Sequence, residues 1–318
     1  MTLKDFYNFV VKEGINADPR GSAAVNKQLQ RTKKILQQLN QRQKDQFDRE
    51  RLTNPYSDTR VLCGPLTQKV KTILVGVDIA SGELFLADKL RQQGQKIDLV
   101  VSHHPQGVGL AGLGEVMEIH AEILKNLGVP ISTAEALMAV RIAEVKRRIM
   151  SANHRQTVDL AEHLKLPFIC CHTVADNHVA TYLQRLMDKQ KPDTLQDAVD
   201  ILTRIPEFSY AIKEKAGPRI LVGAPKRQAG KIFVDMTGGT EGSKDIFQKL
   251  AQAGINTIVA MHLSEEHFRK VKSEHINVII AGHIASDNLG LNLLLDKLEK
   301  KQKLSVIQCS GFQRRKRR

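Results

Sequence analysis

The chain contains no tryptophan, and aromatic residues make up only 4% of it. Aliphatic side chains must therefore fill its core. A groove of basic residues interleaved with aromatics, as single-strand nucleic-acid binders use, is excluded. Cysteine is scarce too. Cys63, Cys170, Cys171 and Cys309 show no C-x-x-C spacing, which argues against a disulfide framework or a thiolate cluster. Cys170 and Cys171 lie in an apolar run and read as buried free thiols, with a soft metal ligand at Cys171 as the alternative. No apolar run approaches the roughly 18 residues of a membrane span. The first residues lack the basic and apolar regions of a signal peptide, so the cytoplasm is the expected compartment.

Negative charge is the minority. The net charge is +14, unevenly placed. Residues 314–318 carry +5, and residues 26–51 hold eight Lys/Arg against three Asp/Glu. The basic end reads as a solvated, disordered tail, with binding of RNA, anionic lipid or a partner by simple charge as the alternative.

Histidine and aspartate stand out by position. His172-Thr-Val-Ala-Asp176-Asn177 and His283-Ile-Ala-Ser-Asp287-Asn288 lie about a hundred residues apart, each after a short apolar run. A third run, Leu99 to Ser102, ends in His103-His104-Pro105. Three times, a buried-strand pattern meets histidine where the chain must turn. Ligands of open α/β folds gather at that carboxyl edge of a parallel sheet.

Strand and helix patterns alternate along most of the chain. Strands are expected at 72–77, 97–102, 167–171, 231–235, 256–261, 275–281 and 304–309. Helices are expected at 83–93, 115–127, 133–150, 153–166, 176–188, 243–253 and 287–300. This is α/β architecture with mainly parallel pairing. Residues 1–52 read as a separate helical N-terminal extension. Residues 53–188 form a first α/β lobe, completed by 276–312, and 189–275 form a second. Residues 107–114 read as a flexible loop, 189–217 as a polar connection broken by prolines, and 313–318 as the basic tail.

His103 and His104 are candidate metal ligands because the turn fixed by Pro105 lets both rings converge. Asp176 and Asp287 each follow a histidine by four residues, which places the pair on one helix face. A helix N-cap is the competing role for either aspartate. A carboxylate among imidazoles also lets two ions sit close together. Thr237-Gly238-Gly239-Thr240-Glu241-Gly242 is a glycine-rich turn that would either line the pocket or simply join strand to helix. His262 and His178 are pocket candidates. His120, His154, His163, His267 and His275 read as ordinary surface residues.

These motifs, in this order, resemble the Nif-three-like proteins, also labelled GTP cyclohydrolase I type 2 homologues, from about residue 72 to 312. The resemblance implies a two-lobe α/β protein with a dinuclear metal centre in its cleft, assembled as a ring-like hexamer. It implies His103, His104, Asp176, His283 and Asp287 as metal ligands, with His172 beside them or lining the pocket. Asp287 stands where the family has glutamate. Residues 133–162 and 1–52 depart from the family pattern, the former as a possible lid or interface.

The expected function is metal-dependent hydrolysis of a nucleotide or related heterocycle, with two divalent ions of zinc, iron or manganese. Two other classes stay open: a metal-binding regulatory protein without turnover, and a nucleic-acid scaffold acting through the basic ends.

Overall fold

The computed structural model describes residues 1–317. Arg318, the last residue of the basic tail, lies outside them. The larger sheet contains β1 (Thr59–Cys63), β2 (Thr72–Gly76), β3 (Leu99–Ser102), β4 (Phe168–Cys171) and β9 (Ser305–Gln308), in the order β1-β4-β3-β2-β9. The smaller contains β5 (Arg219–Val222), β6 (Ile232–Asp235), β7 (Thr257–Ala260) and β8 (Asn277–Ile280), in the order β5-β8-β7-β6. In each sheet the first strand is antiparallel and the others pair in parallel. Both sheets thus repeat one arrangement, an antiparallel edge followed by three parallel strands in reverse chain order. Residues 277–280 belong to the smaller sheet, so the chain returns to the larger one only after β8.

Strand side chains alternate between two layers. Ile73, Val75, Val101, Ile169, Phe233, Ile258 and Val278 enter one core shared by both sheets. Leu74, Val100 and Phe168 face a second layer, and Val234, Val259 and Ile279 a third. Burial on both faces explains why these strands read as unbroken apolar runs.

Two helices occupy the centre, Thr173–Gln190 after β4 and His283–Glu299 after β8. They touch closely at Gly290, where an added Cβ would lie 2.5 Å from the carbonyl oxygen of Ala175.

Several segments differ from the sequence reading. The N-terminal extension is not separate. Helix Leu3–Asn16 buries Leu3, Phe6 and Val10 in the shared core. A Thr2–Asp5 capping box starts it, with the Asp5 N–H donating to Thr2 Oγ1 at 3.1 Å. Residues 189–217 hold two helices, Leu195–Thr203 and Pro206–Lys213. Pro206 is the first helical residue there, a position needing no N–H donor. Leu195, Leu202 and Phe208 pack under the smaller sheet. Residues 107–111 form a short helix rather than a loop. β1 and β5 are strands that the alternation of patterns did not reveal.

The described part of the basic tail, up to Arg317, is held. Arg314 Nη2 lies 2.5 Å from Asp296 Oδ1, and Arg317 Nη2 lies 2.6 Å from Glu207 Oε2. The Arg315 guanidinium sits 4.9 Å above the Tyr210 ring. These contacts spend the charge on the protein itself rather than leaving a solvated end. Helix Ile131–Ile149 packs beside Ile119–Leu127, and Arg141 Nε donates to the Glu241 carbonyl at 3.0 Å. Among the described residues, no helix is long and apolar enough to cross a membrane.

Because Gly290 sets the spacing of the central helices, Gly290→Ala should cost about 1–3 kcal/mol through overpacking. Urea unfolding at neutral pH would measure it; an unchanged midpoint would show that the two helices can separate freely.

Candidate metal centre

Three segments build the site. His103 and His104 leave β3 with their N–H groups still donating to Gly76 O at 3.0 Å and Val77 O at 2.9 Å. The ladder to β2 thereby runs past the strand and fixes both residues. The helices after β4 and β8 bring Asp176 and Asp287. Entry into the second helix goes through Gly282, at φ 108°, a left-handed conformation that glycine adopts without strain. A Cβ there would also strike the Ala216 carbonyl.

Asp287 is the hub. It is fully buried. Oδ1 lies 3.4 Å from His103 Nε2, while Oδ2 lies 3.6 Å from His104 Nε2 and 3.5 Å from His283 Nε2. Asp176 Oδ1 is 3.4 Å from His103 Nε2. Among the described residues, neither Asp287 oxygen has a hydrogen-bond partner, and the same holds for Asp176 Oδ1 and His103 Nε2. Leaving such groups buried and unpaired is costly. Lone-pair donors converging at these separations fit a cation. Neither aspartate is an N-cap, since His172 and Gly282 hold those positions.

Three groups of side chains could each hold a metal ion: His103, Asp176 and Asp287; His104, His283 and Asp287; and His103, His104 and His172. Burial works against charge on Asp287, but His103, His283 and His104 hold its carboxyl below the usual range. Burial would lower His103 as well, yet Asp287 and Asp176 outweigh it and raise its pKa. His104 and His283 are lowered, chiefly by burial.

Two carboxylates outside the expected set orient imidazoles. Asp78 Oδ1 lies 2.7 Å from His104 Nδ1, and Asp58 Oδ2 lies 2.8 Å from His172 Nδ1. Their signal in the sequence is faint: Asp78 closes the apolar run before it, and Asp58 ends the turn cluster Asn54-Pro55-Tyr56-Ser57.

The opposite wall of the cleft comes from the smaller sheet. His262 follows β7 by two residues, as His104 follows β3, and its ring lies 4.8 Å from that of His283. Glu241 Oε1 accepts the Ser264 N–H at 2.7 Å and sits 3.4 Å from His262 Nδ1. Burial would raise its pKa, but His262, His267 and that N–H bring it down to about 2. Thr237 and Gly239 line the same wall, and Thr237 Oγ1 donates to Asn177 Oδ1 at 2.6 Å. Gly238 instead turns its carbonyl to His120. His120 and His267 are buried rather than on the surface. The cleft measures about 400 Å³, and a second cavity of about 350 Å³ shares Met261, His262 and His283 with it.

His178 lies elsewhere. It is buried with Nδ1 2.7 Å from the Val174 carbonyl and does not line the cleft. Cys171 is fully buried, outside the three groups, and burial pushes its thiol up.

The fold and this cluster define an α/β protein with a metal-competent cleft between two mainly parallel sheets. The chain is similar to a NIF3 superfamily protein from Sphaerobacter thermophilus, at 30% identity over 80% of this chain and 92% of that one, with a TM-score of 0.70. More remote overlaps are with reduced HcgD from Methanocaldococcus jannaschii (13% identity, 77% and 85% coverage, TM-score 0.49) and a Bacillus cereus protein related to NIF3 (11%, 79% and 90%, 0.41). No family model matches the chain, and no curated protein does. The chain belongs to the NIF3 superfamily.

Burial lowers the His178 pKa from 6.5 to about 4. The unfolded chain then binds this proton more readily. Its contribution to stability is complete above pH 6.5 and drains away as pH falls toward 4. Between pH 7.5 and 5 the wild type should lose about 2 kcal/mol on this account, a loss absent in His178→Asn. Paired urea titrations would show it, and parallel pH profiles would refute it.

Proposed function

We propose that the protein is a dinuclear metal-dependent hydrolase of the cyclohydrolase-like kind, acting on a nucleotide or related heterocycle. The observation that carries this is the division of Asp287, one oxygen toward His103 and the other toward His104 and His283. His103, Asp176 and Asp287 would hold one divalent ion; His104, His283 and Asp287 would hold the other. A bound pair of ions supplies Lewis acidity and acidifies water for attack on an electrophilic carbon. Zinc, iron and manganese all suit imidazole and carboxylate donors.

The remaining residues supply orientation and room. Asp78 holds His104 with Nε2 toward Asp287. Glu241 and His262 present polar groups from the facing wall, where a substrate's heteroatoms would lie. The second cavity, open to His262 and His283, gives space for the part of the substrate that does not react. Membership of the superfamily supports a homo-oligomer, proposed as a hexamer, and the proposed compartment is the cytoplasm.

Metal titration tests the site. The wild type should bind two ions per chain. Asp287→Asn keeps the shape but removes the charge and one strong donor, so affinity should fall by more than the ~10–100-fold typical of an outer partner. Asp287→Glu should retain two ions. Equal, negligible effects of both variants would remove Asp287 from the site. Turnover of nucleotides by the loaded wild type, lost in Asp287→Asn, would support hydrolysis; two tightly bound ions with no turnover across nucleotides and related heterocycles would favour a non-catalytic metal protein.

Light scattering at micromolar concentration checks assembly. A species near six chains is expected, and monomer alone would contradict it.

A further inference from the structure

Two imidazoles in this cleft are held in the same way. His104 gives Nδ1 to Asp78 at 2.7 Å and turns Nε2 toward the cluster. His172 gives Nδ1 to Asp58 at 2.8 Å, and its Nε2 lies 3.7 Å from Asp176 Oδ2. The donor atoms of His103, His104 and His172 all lie within 4.8 Å of one another. A carboxylate on one ring nitrogen fixes the tautomer and leaves the other nitrogen's lone pair free, the usual dress of a metal-bound histidine.

Asp58 is a costly residue to keep for packing alone. It is fully buried. Oδ2 accepts from His172 and from Thr173 Oγ1 at 2.6 Å, while Oδ1 has no partner among the described residues. Among the described residues, His172 is the one basic side chain paired with it. An ionised carboxylate so placed needs positive charge nearby, and a cation on the far side of the imidazole would supply it. The chain prepares this pair: Asp58 sits where the chain enters β1, and His172 directly follows Cys171, the β4 partner of Thr59. The antiparallel edge strand thus places the carboxylate behind the ring.

Resting on the two-ion reading, we infer that His172 is a sixth protein ligand, shared with the His103 side of the centre, and that Asp58 is its positioning residue. His172 is then not merely a pocket wall, and β1 serves the site as well as the sheet edge.

The test uses the full chain with zinc and with cobalt(II) as a spectroscopic probe. In His172→Gln, affinity for one of the two ions should fall by more than the ~10–100-fold typical of an outer partner, in Asp58→Asn by about 10–100-fold, and the cobalt visible spectrum of His172→Gln should change as that ion loses a ligand. His103→Ala serves as the reference for loss of the site. Wild-type affinities and spectra in both variants, with binding lost in His103→Ala, would overturn the inference and leave the two-ion reading intact. A wild type that binds neither metal would overturn both. Should the variants fail to fold, a crystal structure of the zinc-loaded wild type decides: His172 Nε2 about 2.0–2.1 Å from an ion is expected, and a separation beyond about 3 Å overturns it.

Discussion

A fully buried carboxylate, that of Asp287, has three imidazole nitrogens within 3.6 Å and, among the described residues, no hydrogen-bond partner for either oxygen. Desolvating such a group is expensive unless opposite charge is close by. The rest of the architecture can be understood as what brings that charge together. β3 must deliver two adjacent histidines, the helix after β8 must deliver His283 and Asp287 on one face, and the helix after β4 must bring Asp176 beside them. The two helices can approach because Gly290 leaves room for the Ala175 carbonyl. The N-terminal helix Leu3–Asn16 closes the same core from outside, with Gly14 against Val174.

The paired sequence strings acquire a physical meaning from the sheets. Each sheet has an antiparallel edge strand beside the strand that feeds a central helix, and each feeds that helix with a histidine-containing turn. The correspondence is not complete. His172 precedes its helix as N-cap, whereas His283 is the first residue inside. Each histidine still lies near the aspartate four residues on, but His172 also gives Nδ1 to Asp58. β3 and β7 likewise end in comparable turns, giving His104 on one wall and His262 on the other. Both halves contribute to one cleft: the larger-sheet half supplies His103, His104 and Asp176, and the smaller-sheet half supplies His283 and Asp287 together with the polar Glu241–His262 pair.

Local signals failed where a segment's partner is distant. Residues 189–217 look polar because only one stripe of Leu195, Leu202 and Phe208 meets the smaller sheet. Pro206 looks like a break yet opens a helix. The run of arginines at the end looks like a solvated tail until Asp296 and Glu207, 18 and 110 residues earlier than their partners, are placed opposite Arg314 and Arg317. His120 and His267 look like surface residues for the same reason. Their rings are enclosed by carbonyls of the glycine-rich turn, at Gly238, Thr240 and Gly242.

The sequence by itself determined the α/β alternation and the mainly parallel pairing. Strand burial on both faces and histidine at strand ends are local patterns, visible without knowing what packs against what. Only the tertiary structure decided which carboxylates back which imidazoles. Asp58 and Asp78 carry no motif, and their partners are 114 and 26 residues away. It also decided that His178 points away from the cleft although it lies two residues beyond Asp176. Helical periodicity sets the angle between two side chains, but the packing of that helix in three dimensions chooses which face meets the cleft.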